Sequence, residues 1–286
     1  MKIIFKKEFQ IILGLIIFAA ALRIPTLGSP LIEDEAISFN RYIDVPWQKL
    51  IFFYQDTNQH TFFLLISKFF IWVFGETEII YRLPSFLFGV LSIPLMYRLG
   101  LVMKFSRSAA VLAALLMTLS WPHLKYSMEA RGYGITIFLV LLVIFSAIQL
   151  LNNSRWVWGG VLIGSGFAMT MALPSNLFFL GSLTIFTIMD GWFESEKSRL
   201  NIKKLLWVII PQLIMFALIA VYFLVIYEQL KYGKDIQPQS LDGKRIFEIA
   251  ELLVAPWGFF MYLFFTIGAW RLRGVRERII FGSIFF

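Results

Sequence analysis

The chain alternates long apolar runs with short polar segments. The runs lie at roughly 9–27, 83–103, 108–124, 132–151, 156–173, 176–193, 205–227 and 251–270, and a further run from 279 is cut short by the last residue. Several of them reach the roughly 20 residues that an α-helix needs to cross a bilayer. The pattern predicts an all-α integral membrane protein, a polytopic helical bundle with about eight complete spans and a truncated one. We expect residues 1–286 to be a single transmembrane module that is incomplete at its C-terminus.

One apolar run, 62–74, is short for a span and carries Lys68 at its middle. The basic residues before the first run, Lys2, Lys6 and Lys7, place the N-terminus in the cytoplasm. If 62–74 lies along the membrane surface, the later basic segments fall on the same side: 98–107, 155, 197–204 and 271–278. The sequence therefore predicts a multi-pass protein of the cell membrane, whose extracytoplasmic first loop, about 28–81, contains short surface helices.

The composition narrows the chemistry. The chain has no cysteine, which excludes disulfides, thiolate nucleophiles and cysteine-ligated metals. Its two histidines are too few for a histidine-based metal cage. The net charge of +8 comes with only 15% charged residues, and the basic residues fall mostly in short loops between apolar runs. Orientation in a membrane explains this charge better than nucleic-acid binding does.

Three consecutive carboxylates, Glu33, Asp34 and Glu35, follow the first apolar run in the stretch "LIEDEA". A carboxylate at the start of a helix is stabilised by the helix dipole and caps free N–H groups. Alternatively, a carboxylate at the outer edge of the bilayer acts as a general base that takes a proton from an acceptor hydroxyl or amine. Both interpretations stay open from these residues alone.

Two further outer segments carry charges suited to binding an anion. The turn "KYSMEARGYG" contains Glu129 and Arg131, and the guanidinium of an arginine matches phosphate oxygens in geometry and charge. The loop 227–252 adds basic side chains, among them Lys231, Lys234 and Arg245. The alternatives are an Arg–Glu ion pair in the first segment and attraction to anionic lipid head groups in the second. His60, at the start of a surface helix, is either structural or helps to hold an anion.

The ordered set "IEDEAISF", "NQHTFFLLISKFFIWVFGETEIIYRLPS" and "YSMEARGYG" resembles the C-type glycosyltransferase superfamily. The similarity is to bacterial relatives of the dolichyl-phosphate-mannose protein mannosyltransferases and to the lipid A aminoarabinose transferases. It covers roughly residues 10–150 and extends more weakly to about 270. In that family a His or Lys followed by Pro usually opens the second surface helix, whereas in this chain His60 is followed by Thr61.

The resemblance implies a membrane hexosyl- or pentosyltransferase. Such an enzyme moves a sugar from a polyprenyl-phosphate donor to a lipid, glycan or protein acceptor on the extracytoplasmic face, with inversion. By matching position, Asp34 is the catalytic carboxylate and Glu35 is its partner. The candidates for binding the donor phosphate are Arg131, His60, Lys231, Lys234 and Arg245. The candidates for supporting residues are Glu129, Tyr133 and Arg82.

Two questions stay open at the level of sequence. Some relatives bind a divalent metal ion, and Glu35, Glu129 and His60 are the candidate ligands here, although no ligand spacing demands one. The rival function is a transporter or flippase for a lipid or polar solute, since such proteins also carry intramembrane charges. Transporters place these groups near mid-membrane, often in repeated halves. In this chain the acidic residues cluster toward one predicted surface, which favours the enzyme.

Overall fold

The computed structural model describes residues 2–56, 58–195, 202–226 and 229. These residues form eleven α-helices and no strand. The helices are α1 (Lys2–Leu27), α2 (Glu33–Tyr42), α3 (Trp47–Phe52), α4 (Thr61–Phe74), α5 (Glu78–Val102), α6 (Arg107–Leu119), α7 (Trp121–Met128), α8 (Gly132–Asn153), α9 (Trp156–Ala172), α10 (Asn176–Ser195) and α11 (Ile202–Val225). The all-α prediction is therefore confirmed for the described part of the chain.

Four helical segments are long and apolar enough to cross a membrane: Glu8–Leu27, Glu78–Val102, Gly132–Asn153 and Leu206–Val225. The molecule thus has the make-up of a helical membrane protein, but the described residues do not reach the predicted count of eight spans. The apolar segments Arg107–Leu119, Trp156–Ala172 and Asn176–Ile185 are shorter. The predicted spans 251–270 and from 279 lie outside the described residues.

The prediction of a single helix over 108–124 is wrong, because the helix is interrupted at Ser120. Ser120 has an extended backbone and separates α6 from α7, which begins at Trp121 with Pro122 directly behind it. Proline has no N–H to donate and is favoured in the first turn of a helix, so Pro122 is compatible with the start of a new helix at this point. This break lets α7 lead into the turn at 129–131 that the candidate site uses.

The helices define two ends of the bundle. At one end, which we call the site end, α1 and α9 finish and α5 and α8 begin. At this end Arg82 donates to the backbone oxygen of Leu27, and Ser85 donates to the backbone oxygen of Arg131. At the opposite end α5 and α8 finish, and Leu99 packs with Ile148. Exposed basic residues lie at this opposite end, which we call the basic end: Arg98, Lys104, Arg107 and Arg155.

Helix α4 lies along the site end. At its N-terminal boundary, His60 bonds the backbone oxygen of Ala172, which is the last residue of α9. Further along, Ser67 donates to the backbone oxygen of Tyr81 in the first turn of α5. Both contacts are made at the same end of the bundle, and the placement of 62–74 along the membrane surface stays a prediction.

A buried arginine ties α1 to α7. Arg23 is fully buried and donates to Ser127 Oγ at 2.6 Å and to the backbone oxygen of Ala19 at 2.7 Å. Its third contact is with His123 Nδ1 at 2.9 Å. Since a guanidinium only donates, this imidazole nitrogen accepts, and the His123 proton is on Nε2. The position of α1 beside the site is therefore fixed by hydrogen bonds as well as by apolar packing.

Candidate functional site

The three consecutive carboxylates occupy three different environments at the start of α2. Glu33 is exposed. The side chain of Asp34 is 45% exposed and pairs with Arg131, whereas the side chain of Glu35 is only 1% exposed and pairs with Arg82. Successive residues of a helix point about 100° apart, so neighbours in sequence face different surroundings. This separation divides the triplet into a solvated, a half-exposed and a buried carboxylate.

Glu35 and Arg82 form a buried ion pair that joins α2 to α5. Arg82 Nε donates to Glu35 Oε1 at 2.9 Å, and its second terminal nitrogen reaches Oε2 at 2.5 Å. The same guanidinium also donates to backbone oxygens at the end of α1 and in the segment that follows it: Leu27 at 3.0 Å, Ser29 at 2.5 Å and Pro30 at 3.0 Å. Arg82 therefore fixes the backbone conformation of the segment that leads from α1 to the acidic triplet.

The remaining capacity of Glu35 is used by two backbone N–H groups. Ile32 donates to Oε2 at 2.9 Å, which satisfies a free donor at the start of α2. Ala130 donates to Oε1 at 2.5 Å and brings the turn before α8 against α2. With both oxygens occupied and the side chain buried, Glu35 has a structural role. These contacts favour a structural role over the catalytic and metal-ligating roles that the sequence predicted for Glu35, which stay predictions.

The pairing of Ala130 with Glu35 sets up the next pairing along the chain. The backbone of Arg131 is extended, and its carbonyl accepts a hydrogen bond from Ser85 Oγ at 3.0 Å. The turn is thus held on one side by α2 and on the other by α5. The side chain of Arg131 reaches Asp34, and one terminal nitrogen of its guanidinium lies 2.5 Å from Oδ2.

Arg131 makes a second polar contact and packs on an aromatic ring. Its other terminal nitrogen donates to Asn58 Oδ1 at 3.0 Å, and its guanidinium carbon lies 5.1 Å from the centre of the Tyr133 ring. The predicted supporting residue Tyr133 therefore lies where a cation–π contact orients the arginine. Arg131 Nε is buried and has no hydrogen-bond partner among the described residues. The arginine thus keeps one N–H donor unused beside a half-exposed carboxylate.

His60 packs against Tyr133 on the buried side of the site. Its ring lies edge-on to Tyr133, with the ring centres 5.2 Å apart, and Nδ1 is 3.1 Å from the oxygen of Ala172. A carbonyl only accepts, so the proton of the neutral imidazole is on Nδ1. Gly132 passes so close to the side chain of His60 that an added Cβ would lie 3.0 Å from its Cβ, Cγ and Nδ1 atoms. A side chain at position 132 would push on the histidine, so Gly132 lets the turn pack closely against it.

His60 is uncharged at neutral pH. It is 2% exposed, and burial lowers the pKa of its imidazole from the ordinary 6.5 to about 4, while the bond to Ala172 acts more weakly in the opposite direction. A neutral imidazole does not attract phosphate by charge. His60 is therefore a neutral packing and hydrogen-bonding residue in this structure, and its predicted contact with the donor phosphate stays a prediction.

This burial makes the stability of the protein depend on pH. Between pH 6.5 and 4 the unfolded chain binds a proton at His60 that the folded protein excludes, so stability falls as the pH is lowered through this window. We expect the loss due to His60 to reach about 3 kcal/mol. Unfolding of the wild type and of His60→Gln in detergent, followed between pH 7.5 and 4.5, measures it. Identical pH slopes for the two proteins would contradict the prediction.

Glu129 ends α7 beside the site. Its side chain is 17% exposed and lies 3.9 Å from the amine of Lys125. Burial raises the pKa of this carboxyl, and Lys125 opposes the shift. The candidate metal ligands Glu35, Glu129 and His60 do not form a metal-binding group, since no three His, Asp or Glu side chains gather as one in the described ranges.

Of the residues predicted for the site, the structure brings together Asp34, Arg131 and Tyr133, with Arg82 as their support. Lys231, Lys234 and Arg245 lie outside the described residues. Sequence reasoning missed Asn58 as a partner of Arg131 and Ser85 as a support of its backbone. Both stand inside stretches that carry the resemblance, which was the available signal.

Comparison with known proteins adds no family assignment. No protein-family model matches the chain, and no match is found among curated protein sequences. The resemblance to C-type glycosyltransferases therefore stays a prediction that rests on the motifs quoted above.

Proposed function

We propose that this protein is a membrane glycosyltransferase. In this proposal it moves a sugar from a polyprenyl-phosphate-linked donor to an acceptor at the extracytoplasmic face, and Asp34 is the general base. The observation that supports it best is the pair formed by Asp34 and Arg131, a half-exposed carboxylate beside an arginine that keeps an unused N–H donor. A base and a phosphate-binding cation within one contact distance are the two groups that such a transfer needs.

The reaction is a single displacement. Asp34 accepts the proton of an acceptor hydroxyl or amine, and the nucleophile attacks the anomeric carbon from the face opposite the phosphate. The bond between that carbon and the phosphate oxygen breaks, and polyprenyl phosphate leaves with the electron pair. The configuration at the anomeric carbon is inverted. Proton transfer to a positioned base of this kind contributes about 10²–10⁴ in rate.

Arg131 has two roles in this proposal. In the free protein it neutralises Asp34, with its terminal nitrogen 2.5 Å from the carboxylate. A donor phosphate competes for the terminal nitrogens of the same guanidinium and thereby releases the carboxylate to act as a base. Donor binding then precedes proton transfer. The predicted cations Lys231, Lys234 and Arg245 are further candidates for contacts with the phosphate.

The orientation in the membrane is part of the proposal. Arg98, Lys104, Arg107 and Arg155 are exposed at the basic end, and the positive-inside rule assigns such an end to the cytoplasm. The site end then faces the extracytoplasmic side, where polyprenyl-phosphate sugars are used by the enzymes that the motifs resemble. The proposal also retains about eight complete spans for the whole chain, the shorter apolar helices and the segment after 226 included.

A transfer assay tests the function and distinguishes it from transport. Membranes that contain the full chain, and matched membranes without it, are incubated with polyprenyl-phosphate mannose, glucose or aminoarabinose labelled in the sugar. The proposal expects release of polyprenyl phosphate and appearance of the label in an acceptor that no longer extracts with the donor. Movement of intact donor across the membrane without bond cleavage would establish a flippase instead. Intact donor on its original side, with all three sugars, would overturn the enzyme assignment.

A further inference from the structure

A cavity of about 560 Å³ lies at the basic end, far from the candidate site. It is lined by α1, α5 and the start of α6: Glu8, Phe9, Ile12, Ile16, Pro94, Tyr97, Arg98, Leu101 and Arg107. Its volume falls in the range of about 300–1,000 Å³ that is usual for ligand sites. Phe9 and Arg98 are exposed, so the cavity opens to the surroundings of the bundle.

One end of this cavity is polar and carries excess positive charge. Arg107 pairs with Glu8 at 2.6 Å, and the Tyr97 hydroxyl donates to the other oxygen of Glu8 at 3.2 Å. Arg98 has no ion-pair partner among the residues that the structure describes. Two arginines against one glutamate leave one positive charge in excess at the mouth. That charge suits an anion.

The rest of the cavity is apolar and follows the helices toward the bundle centre. Ile12 and Ile16 are one turn apart on α1, and Pro94 and Leu101 line the facing side of α5. Both helices are long and apolar enough to cross a membrane, so this wall runs along the direction of lipid chains. A ligand that fits has a charged head at the basic end and a hydrocarbon portion beside these residues.

We propose that this cavity binds an anionic phospholipid of the adjacent leaflet. The phosphate lies by Arg98 and Arg107, and the upper part of one acyl chain lies against Ile12 and Ile16. Basic pockets between membrane helices recognise lipid head groups in this way. The site is independent of the proposed transfer chemistry, because it uses none of the residues at the site end.

Lipid binding to the purified full chain tests the proposal. Dioleoyl phosphatidylglycerol and dioleoyl phosphatidylcholine are titrated in detergent and read by native mass spectrometry, with glycerol phosphate as the chain-free anion. The wild type is expected to favour phosphatidylglycerol by about fivefold, the factor that corresponds to about 1 kcal/mol. Arg98→Gln removes this preference, whereas Glu8→Gln strengthens it by removing the opposing charge.

Two matched controls separate this site from general lipid contact. Arg155→Gln removes an exposed arginine from the same end without touching the cavity, and it should leave the preference unchanged. Ile16→Trp fills the apolar part and should reduce binding of phosphatidylglycerol, whereas Ile17→Trp, on the neighbouring exposed position, should not.

Three outcomes would overturn the proposal: equal binding of the two lipids by the wild type, equal effects of Arg98→Gln and Arg155→Gln, or equal effects of the two tryptophan variants. Tight binding of glycerol phosphate would assign the cavity to a free anion instead. Thermal unfolding of each variant in the same detergent checks that the bundle is intact.

Discussion

Asp34→Asn is expected to lower sugar transfer by about two to four orders of magnitude while the protein stays folded and inserted. Asparagine keeps the size of the side chain but cannot take a proton from the acceptor. Its amide oxygen still accepts a hydrogen bond from Arg131, and the position is 45% exposed, so little folding energy depends on the charge. The measurement is the initial rate of label transfer, together with thermal unfolding in detergent.

The acidic triplet supplies a matched control for this experiment. Glu33→Gln removes one negative charge from the residue next to Asp34, and Glu33 is exposed. If general attraction of a cationic group by the triplet were responsible for activity, the two variants would behave alike. The proposal expects near wild-type transfer in Glu33→Gln. Full activity in Asp34→Asn would remove Asp34 from the mechanism.

The order of donor and proton steps gives a second readout from the same variants. In the free protein Arg131 is shared between Asp34 and Asn58. Asp34→Asn weakens the hold on Arg131 and leaves it more available to the donor phosphate. The variant should therefore bind the polyprenyl-phosphate sugar at least as tightly as the wild type although it turns over slowly. A parallel loss of binding and rate would indicate that Asp34 holds the site together instead.

Apolar patterning predicted the helical membrane architecture because hydropathy over a window of about 20 residues reflects the thickness of the bilayer directly. The same measure does not register where a helix breaks inside an apolar run. The run 108–124 is apolar throughout, yet Ser120 and Pro122 divide it into α6 and α7. The resulting short helix leads the chain into the turn that carries Arg131.

For the candidate site too, the sequence predicted some features and not others. Residue type and order in the chain identified Asp34, Arg131 and Tyr133, which the structure brings together. The resemblance assigned the catalytic role to Asp34 with Glu35 as its partner, but residue type alone did not predict that Glu35 is buried, since adjacent carboxylates differ only in the helix face that they occupy. The sequence left open whether His60 is structural or helps to hold an anion, and its ionisation depends on burial against Ala172 at the end of α9 and Gly132. Burial arises from contacts between distant segments, and local pattern carries little information about it.

Glu35→Gln is expected to destabilise the protein by about 3–5 kcal/mol, although the change is as small as that of Asp34→Asn. It leaves the Arg82 guanidinium, whose side chain is only 4% exposed, without its counter-ion. An unpaired buried charge costs far more than an exposed one. Unfolding in detergent measures the loss, and Glu33→Gln, at an exposed position, should stay within about 0.5 kcal/mol of the wild type.

A double-mutant cycle decides whether this loss comes from the pair. Arg82→Met removes the stranded cation, so Glu35→Gln combined with Arg82→Met should be less destabilised than the sum of the two single variants. Strict additivity would contradict the pairing. Because Glu35 also holds the N–H of Ala130, loss of the pair should loosen the turn that aims Arg131 at Asp34. Glu35→Gln protein that is still folded should then transfer sugar more slowly, as expected of a positioning residue that acts through Arg131.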